Sequence, residues 1–430
     1  MKKIAWVLAL SWWALPVWAQ TYATHNDTQL AVLLEEALER NPRIREALAR
    51  YRAALRRIPQ VSALPDPMLG VTQYARTPET RVGPQTTMLS ISQRFPWFGK
   101  LDDQGKVAAK EADAMREMYE AQKAEVVRQA KLAYYDLGYL DRAIAITQED
   151  QGLLENFETL AEAHYAQGTG LQQAVVKLQA EITRDRNRLE ILRRMRVDAE
   201  AALNRLLDHP PETPVSAINL GSRPVVDLQL EKLYAVSRDR KPEVAAAFLQ
   251  IERNEKRIDL ARKQYWPDVT LGAGFVNLGG RNDPAGLLMP PPDNGKNIYS
   301  LSVSVNLPIF RRKYDAGVFQ ATEELLAARE GYRDTVNETE RSIRSLEFRI
   351  RTIQEQLSLF ESTLLPQAEQ SLRSAEAAYT TGQLGVLDLL DSERVLLDVR
   401  LGLAQLHTDY MKSLAEMERA IGAPFPEVGP

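Results

Sequence analysis

Residues 101–167 read LDDQGKVAAKEADAMREMYEAQKAEVVRQAKLAYYDLGYLDRAIAITQEDQGLLENFETLAEAHYAQ and contain no proline. Ala, Glu, Lys, Arg, Gln and Leu predominate, and these residues have high helix propensity. At 1.5 Å per residue, one helix over this range is roughly 100 Å long. Helices of globular proteins average about 11 to 12 residues. The stretch therefore predicts a helix that lies lengthwise against neighbours, and it disfavours a compact enzyme.

A second helical pattern over residues 171–208 follows a short turn that contains glycine. Its apolar residues are spaced alternately four and three apart, as on the packing face of a coiled coil. Asp185, Arg196 and Ala199 occupy positions where this spacing would place larger apolar residues. The positions that follow the spacing are Leu171, Val175, Leu178, Ile182, Leu189, Leu192, Leu203 and Leu206. Together, the two patterns predict an antiparallel helical hairpin.

The chain also repeats itself at a spacing of about 200 to 214 residues. Four short motifs occur twice in the same order: Asn41-Pro42-Arg43-Ile44 and Lys241-Pro242-Glu243-Val244; Leu64-Pro65-Asp66 and Trp266-Pro267-Asp268; Phe95-Pro96-Trp97-Phe98 and Leu307-Pro308-Ile309-Phe310; Tyr165-Ala166-Gln167-Gly168 and Tyr379-Thr380-Thr381-Gly382. Each half is thus predicted to contain a leading helix, two strands, a long helix, a tight turn and a return helix.

These patterns divide the sequence into five parts: residues 1–19, a first repeat over 20–208, a proline-rich linker over 209–226, a second repeat over 227–421 and a tail over 422–430. The first repeat is predicted to contain a leading helix over 27–60, strands over about 66–77 and 84–96, a long helix over 101–167 and a return helix over 171–208. The second is predicted to contain strands over about 267–279 and 297–309, a long helix over 312–381 and a return helix over 383–421.

The predicted strands alternate apolar and polar residues, as in Tyr299 to Leu307, where every second residue is Ser or Asn. Such strands could line a soluble sandwich. Their length of about ten residues, however, matches the 9 to 11 that cross a bilayer. Aromatic residues lie where strands meet helices, as in a membrane-interface belt. These residues are Phe95, Trp97, Phe98, Tyr265, Trp266 and Phe310.

Four strands are too few to close a membrane barrel, since the smallest single-chain barrels have about eight. Open sheet edges would leave unpaired backbone groups in lipid. Membrane insertion therefore predicts that several subunits share one barrel. The leading and return helices together match the length of the long helix, which predicts a hollow helical cylinder on the same symmetry axis.

Composition excludes several classes of protein. A mean hydropathy of −0.33 and the lack of long apolar runs after residue 20 exclude a bundle of membrane-spanning helices. With 54 basic and 58 acidic residues, no basic field points to nucleic acid. The chain has no cysteine, which removes disulfides and thiol chemistry. The four histidines, His25, His164, His209 and His407, lack metal-ligand spacing, and we expect no metal site and no cofactor.

The first nineteen residues have the pattern of a cleavable signal peptide. Lys2 and Lys3 precede an apolar stretch from Ile4 to Trp18, and a cleavage point follows at Ala19. This stretch of about 15 residues is short for a membrane anchor, which needs about 20. No cysteine follows the cleavage point, so we expect a secreted chain without a lipid anchor.

The two turn motifs, Tyr165-Ala-Gln-Gly168-Thr-Gly-Leu171 and Tyr379-Thr-Thr-Gly382-Gln-Leu-Gly-Val-Leu-Asp388-Leu-Leu-Asp391, resemble the helix-hairpin tips of the TolC family of outer-membrane efflux ducts. The resemblance implies a mainly α fold with a small β part. It implies a homotrimer in which four strands per protomer form a 12-stranded outer-membrane β-barrel, continued by a long periplasmic α-helical barrel. It also implies a tripartite pump in a Gram-negative bacterium, with a periplasmic adaptor and an inner-membrane RND transporter.

Two stretches, Ser92 to Lys100 and Val305 to Phe310, look like the CzcC-type branch of this family, which partners heavy-metal pumps. That branch implies passive conduction of metal cations. A duct for drugs or for type I protein secretion is an alternative, and a soluble periplasmic coiled-coil scaffold is an alternative from another class. Since the sequence contains no Walker motif, HExxH or nucleophile elbow, we do not expect an enzyme.

Asp388 and Asp391 lie three residues apart, and hence on one face, near the start of the second return helix. The resemblance implies that they constrict the periplasmic opening, where threefold symmetry would form a ring of six carboxylates that attracts cations. Acidic residues in a first helical turn can also simply complement the helix dipole. The first repeat departs from the pattern, with Ala174 and Lys177 at the equivalent positions, and Leu384 replaces a basic residue frequent at the tip.

The remaining tip residues are candidates for adaptor docking. Gly168, Gly170 and Gly382 allow the positive φ of a tight helical turn, which is also a sufficient structural reason for them. Leu171 and Leu384 are expected to be exposed apolar contacts, or the first positions of the coiled-coil face. Tyr165 and Tyr379 complete the predicted docking set.

Overall fold

The computed structural model of the chain describes residues 27–224, 226 and 228–425. The predicted signal peptide, His25 and residues 426–430 of the tail lie outside this part. The chain forms two compact units. The first contains the described residues up to Leu48, Met118–Ala245 and those from Thr335 onward; the second contains Ala49–Glu117 and Ala246–Asp334.

The elements follow the order that the repeat predicts. In chain order they are α1 (Thr28–Arg40), α2 (Pro42–Ser62), β1 (Met68–Gln73), β2 (Gln85–Phe95), α3 (Lys100–Ala166), α4 (Gln172–Leu207), α5 (Leu230–Arg240), α6 (Pro242–Lys263), β3 (Val269–Leu278), α7 (Pro284–Leu288), β4 (Ile298–Val305), α8 (Arg311–Leu359), a π-helical turn (Phe360–Leu364), α9 (Leu365–Thr380) and α10 (Val386–Ile421).

The prediction of one continuous leading helix over residues 27–60 is wrong, because the helix breaks at Asn41. Asn41 has an extended ψ of 123°, and Pro42 begins the next helix. A residue before proline is pushed out of the helical region by the proline ring. The Asn41 side chain is buried and donates a hydrogen bond to the Leu206 carbonyl at 2.8 Å. The second repeat breaks in the same way between Lys241 and Pro242.

The second unit contains a four-stranded sheet with the order β1-β2-β3-β4, in which every neighbouring pair is antiparallel. In the hairpin of the first repeat, Leu69 lies opposite Ile91. β2 and β3 connect the two repeats by backbone pairing along their length. β1 is shorter than expected, since it ends at Gln73 before a loop that continues to Pro84.

The core of the first unit lies between long helices. Its largest cluster contains Tyr134, which is 1% exposed, together with apolar residues of α1, α3, α4, α8 and α10. The Tyr134 hydroxyl donates to Asp27 at 2.8 Å, and the same carboxylate accepts the Leu30 N–H to cap α1. This one carboxylate therefore both starts α1 and fixes it to α3.

The expected long helix over residues 312–381 is interrupted by the π turn at Phe360–Leu364. A π turn adds backbone to an α-helix without ending it. The Phe360 ring contacts α10 at Gly402, where an added Cβ would lie 3.0 Å from the ring. Glu361 in the same turn accepts two hydrogen bonds from Arg223, each of 2.8 Å.

Three buried carboxyl groups meet in the first unit, one each from α3, α4 and α10. Asp150, Asp185 and Glu393 are 9%, 5% and 2% exposed, and one oxygen of each has no hydrogen-bond partner in the described chain. Asp150 lies within hydrogen-bonding reach of the other two. The Arg188 guanidinium is 3.7 Å from Asp185. Burial, and then the neighbouring carboxyls, raise the pKa of Asp150, and burial raises the pKa of Asp185 and Glu393.

Neutralising this cluster should stabilise the first unit above acidic pH. The stability that the protonated cluster supplies is full below the unfolded pKa of about 4, and it is lost as pH rises through the raised folded pKa. We expect Asp150→Asn to increase the free energy of unfolding at pH 8 by about 1 to 2 kcal/mol and to flatten its decline with pH. Thermal unfolding of the purified protein, followed by circular dichroism from pH 5 to pH 9, measures this.

Glu190→Gln is the matched control, because Glu190 also lies on α4 but its side chain is 70% exposed. Its pH profile should coincide with that of the unmodified protein. An Asp150→Asn profile parallel to that of the unmodified protein would contradict the raised pKa of Asp150.

Candidate functional site

Two hairpin turns in the first unit repeat the same backbone geometry. Gly168 and Gly382 adopt the left-handed conformation, with φ of 73° and 72°. In each turn the residue after the glycine donates its N–H to the carbonyl five residues earlier, at 3.0 and 2.9 Å. This bond satisfies a carbonyl that the end of the helix would otherwise leave unpaired. The repeated sequence therefore produces two equivalent tips.

The two tips differ at the position two residues after Gly168 and Gly382. A Cβ at Gly170 would lie 2.9 Å from the Cβ of His164, so this position of the first tip is tightly packed. The equivalent residue of the second tip is Leu384, which is half-buried and packs against an apolar cluster of both hairpins. Part of the Leu384 side chain is exposed, and its role in adaptor docking stays a prediction. Leu171 is 72% exposed.

A cavity of about 330 Å³ lies between the two tips. At its wall the rings of His164 and Tyr379 approach with centroids 5.6 Å apart. The lining includes the side chains of Lys177 and Asp388. The other residues that line the cavity are Thr169, Gly170, Leu171, Gln173, Ala174, Gly382, Leu384, Gly385, Val386 and Leu387. The cavity thus combines an apolar wall with one cation and one carboxylate.

The two predicted gate residues lie on the exposed side of α10. Asp388 is in the first turn of the helix, and both Asp388 and Asp391 are exposed. Within the described chain neither carboxylate forms an ion pair. Leu389 and Leu390, between them in sequence, are buried and fix this orientation.

The two predicted docking tyrosines occupy different environments. Tyr165 is 50% exposed, next to the first tip. Tyr379 is 6% exposed and belongs to the apolar cluster, and burial raises the pKa of its hydroxyl. Tyr165 and Leu171 are therefore accessible to solvent, whereas Tyr379 packs inside the apolar cluster next to the second tip.

The six predicted interface aromatics lie in the second unit, where strands and helices meet. Trp97 stacks on Trp266 with ring centroids 5.0 Å apart and planes 9° apart. Phe98 packs edge-on against Trp97 at 5.8 Å and is 87% exposed. Phe95 and Phe310 are also exposed, at 38% and 76%. Tyr265 donates a hydrogen bond from its hydroxyl to Asp315.

A buried ion cluster at the same place was missed by sequence reasoning. Asp268, 5% exposed, accepts hydrogen bonds from Lys100 at 2.8 Å, from the backbone N–H of Trp97 at 3.0 Å and from Arg94 at 3.1 Å. Burial raises the pKa of Asp268, but these donors outweigh it and hold the pKa below its usual range. We call Asp268, Lys100, Arg94 and the Trp97–Trp266 stack the junction clamp. The sequence signal that could have indicated this cluster is the Pro-Asp motif, which occurs at Pro65-Asp66 and again at Pro267-Asp268.

In the part of the chain that the structure describes, no group of three or more His, Asp or Glu residues is arranged to hold a metal ion. None of the described helices is long and apolar enough to cross a membrane.

The family model for outer membrane efflux proteins matches residues 33–209 and 233–423. The chain belongs to the outer membrane efflux protein family. The resemblance to the TolC family is thus confirmed, and the two matched segments correspond to the two structural repeats.

Relatives in this family include nodulation protein T of Rhizobium leguminosarum bv. trifolii, which is 23% identical over 97% of this chain and 89% of its own length. The cobalt-zinc-cadmium resistance protein CzcC of Cupriavidus metallidurans is 23% identical over 47% of this chain and 44% of its own length. CzcC is therefore one relative among several.

Solved structures agree on the fold. The outer membrane protein VceC of Vibrio cholerae has a TM-score of 0.75 and 22% identity, covering 93% of this chain and 97% of that one. The channel protein CusC has a TM-score of 0.74 and 17% identity, covering 94% and 96%. The predicted fold class, mainly α with a small β part on the TolC plan, is confirmed.

Substituting the glycine of the second tip should destabilise that tip. Gly382 has open space around its Cβ position, so Gly382→Ala costs only the left-handed backbone, about 1 to 2 kcal/mol. Gly152→Ala, in the interior of α3 with equally open space, should instead stabilise by about 1 kcal/mol. Hydrogen exchange of the backbone amides around each substituted residue measures the difference. Equal protection in both variants would contradict the backbone argument.

Proposed function

We propose that the chain is the outer-membrane duct of a tripartite efflux system. Three copies would combine their four-stranded sheets into a 12-stranded barrel in the outer membrane, and their helices would form a periplasmic tunnel. A periplasmic adaptor and an inner-membrane RND pump would deliver cargo to this tunnel. The observation that carries the proposal is a sheet whose outer strands, β1 and β4, each pair with only one strand of the described chain. The sheet lies beside exposed aromatic residues, and the chain belongs to the efflux family.

The proposed entrance is the pair of hairpin tips. Tyr165 and Leu171 expose apolar area that an adaptor hairpin would bury. Asp388 and Asp391 would line the opening, because both are exposed on α10 without an ion-pair partner among the described residues. A ring of carboxylates favours cations over anions.

For the cargo we propose metal cations. The relative CzcC is a cobalt-zinc-cadmium resistance protein. Drug-like cargo is the second candidate, because another relative is the toxin and drug export protein A of Aggregatibacter actinomycetemcomitans. A deletion strain tested in parallel against metal salts, dyes and detergents separates them. Sensitivity confined to metal salts supports the first, and broad sensitivity supports the second.

Removing the proposed carboxylate ring should reduce ion selectivity. For Asp388→Asn with Asp391→Asn, we expect the ratio of cation to anion permeability in planar bilayers to fall toward unity, because the fixed negative charge at the constriction is lost. Asp398→Asn is the control, since Asp398 is an exposed carboxylate of the same helix beyond the first turns. Equal selectivity in all three proteins would reject the ring.

A further inference from the structure

A second cavity of the first unit, of about 370 Å³, lies between α3, α9 and α10. It shares no lining residue with the cavity at the tips. Pockets of about 300 to 1,000 Å³ with a largely apolar lining bind drug-sized molecules. Four buried apolar side chains line this one: Ile146, Leu372, Leu396 and Leu397. The cavity therefore has the size and the apolar surface for an organic ligand.

The charged part of the lining has more carboxyl groups than cations. Arg400 lies 3.6 Å from Glu149 and 4.0 Å from Glu369, and Arg373 lies 3.7 Å from the other oxygen of Glu369. Glu376 also lines the cavity and has no ion-pair partner among the described residues. The two arginines are therefore held by carboxylates of the lining, while Glu376 remains uncompensated.

The remaining carboxyl group of the lining is Asp150, which joins the cavity to the buried carboxyl cluster. Its Oδ2 atom is buried and has no hydrogen-bond partner in the described chain. Asp185 and Glu393 lie within hydrogen-bonding reach of Asp150 but do not line the cavity. A ligand in the cavity thus meets the cluster at Asp150.

The cluster is short of positive charge. The charged groups that face it are Glu181 and Arg188 of α4 and Arg394 of α10. Arg394 forms an ion pair with Glu181, which leaves Arg188 for three carboxyl groups. Buried carboxylates beside a single cation repel one another, so the cluster must keep protons or gain a further cation. The cavity gives such a cation access to the cluster.

We propose that this cavity binds an organic ammonium ion, with the charged nitrogen at Asp150 and the apolar body against Ile146, Leu372, Leu396 and Leu397. A metal ion would leave the apolar lining unused. In the described part of the chain, moreover, no three His, Asp or Glu residues are arranged to hold one. The inference goes beyond the proposed duct, since binding does not require conduction.

Binding should release a proton. Burial, and then the neighbouring carboxyl groups, raise the pKa of Asp150 to about 10, so this carboxyl is protonated at pH 7. An ammonium ion beside it favours the carboxylate, and the displaced proton passes to the solvent. A primary amine stays charged between pH 6 and pH 8, as the lysine side chain does. The affinity for the amine should therefore rise with pH over this range.

Two probes of the same shape and different charge test the site. We expect naphthylmethylamine to bind the purified full-length protein more tightly than naphthylmethanol by a factor of about ten or more, because the alcohol forms no ion pair with Asp150. Equilibrium dialysis at pH 7 measures both affinities. Equal affinities, or no binding of the amine, would overturn the proposal.

Asp150→Asn should weaken binding of the amine by about tenfold and leave binding of the alcohol unchanged. This variant is expected to stabilise the first unit, so unfolding does not account for the loss. Glu376→Gln should weaken binding of the amine by a smaller factor. Asp198→Asn is the matched control, because Asp198 is an exposed residue of α4 outside the cavity lining. An Asp150→Asn variant that still prefers the amine would reject Asp150 as the anchor.

Titration calorimetry in two buffers with different ionisation enthalpies measures the released proton. We expect release from the unmodified protein at pH 7 and none from Asp150→Asn. No release from the unmodified protein would contradict the exchange of a proton for the ammonium ion. Conductance in planar bilayers tests the proposed duct separately. Conduction without binding of the amine rejects the site and leaves the duct, whereas binding without conduction supports the site and rejects the duct.

Discussion

Backbone pairing between β2 and β3 is the interaction on which the arrangement of the two repeats depends. Each repeat supplies only one hairpin, and an isolated hairpin is at best marginally stable. The central ladder from Phe95–Val269 to Gln85–Leu278 makes one sheet of the two hairpins. The long helices that follow β2 and β4 consequently start from a common sheet.

The junction clamp shows how polar groups are accommodated at that joint. Asp268 is nearly inaccessible, and a buried carboxylate is stable only with donors close by. Lys100 is such a donor. Its side chain is held at Asp268 because Lys100 is itself only 4% exposed and also donates a hydrogen bond to the Trp266 carbonyl at 2.8 Å. Removing either partner would leave the other charged and buried, which costs more than the pair contributes.

Much of this fold could be predicted from the sequence because its signals are periodic. The length of α3, the strand alternation and the repeated Tyr-x-x-Gly motif specify helices, strands and tips without reference to distant residues. The buried contacts could not be read in this way. Asp185 was visible as a polar residue on an apolar face, but its neighbours Asp150 and Glu393 are remote in sequence. Burial of Tyr379 likewise depends on the packing of two hairpins, whereas the equivalent Tyr165 remains exposed.

The π turn compensates for a difference in length between the two halves of the chain. Between Pro308 and Gly382 the sequence has two more residues than between Pro96 and Gly168. Extra residues in a continuous α-helix would rotate every later side chain by about 100° per residue. The π turn at Phe360–Leu364 has more residues per turn than an α-helix, and it therefore accommodates part of the additional length within one turn. The second half thus accommodates its additional residues within the helix while both tips keep the same backbone geometry.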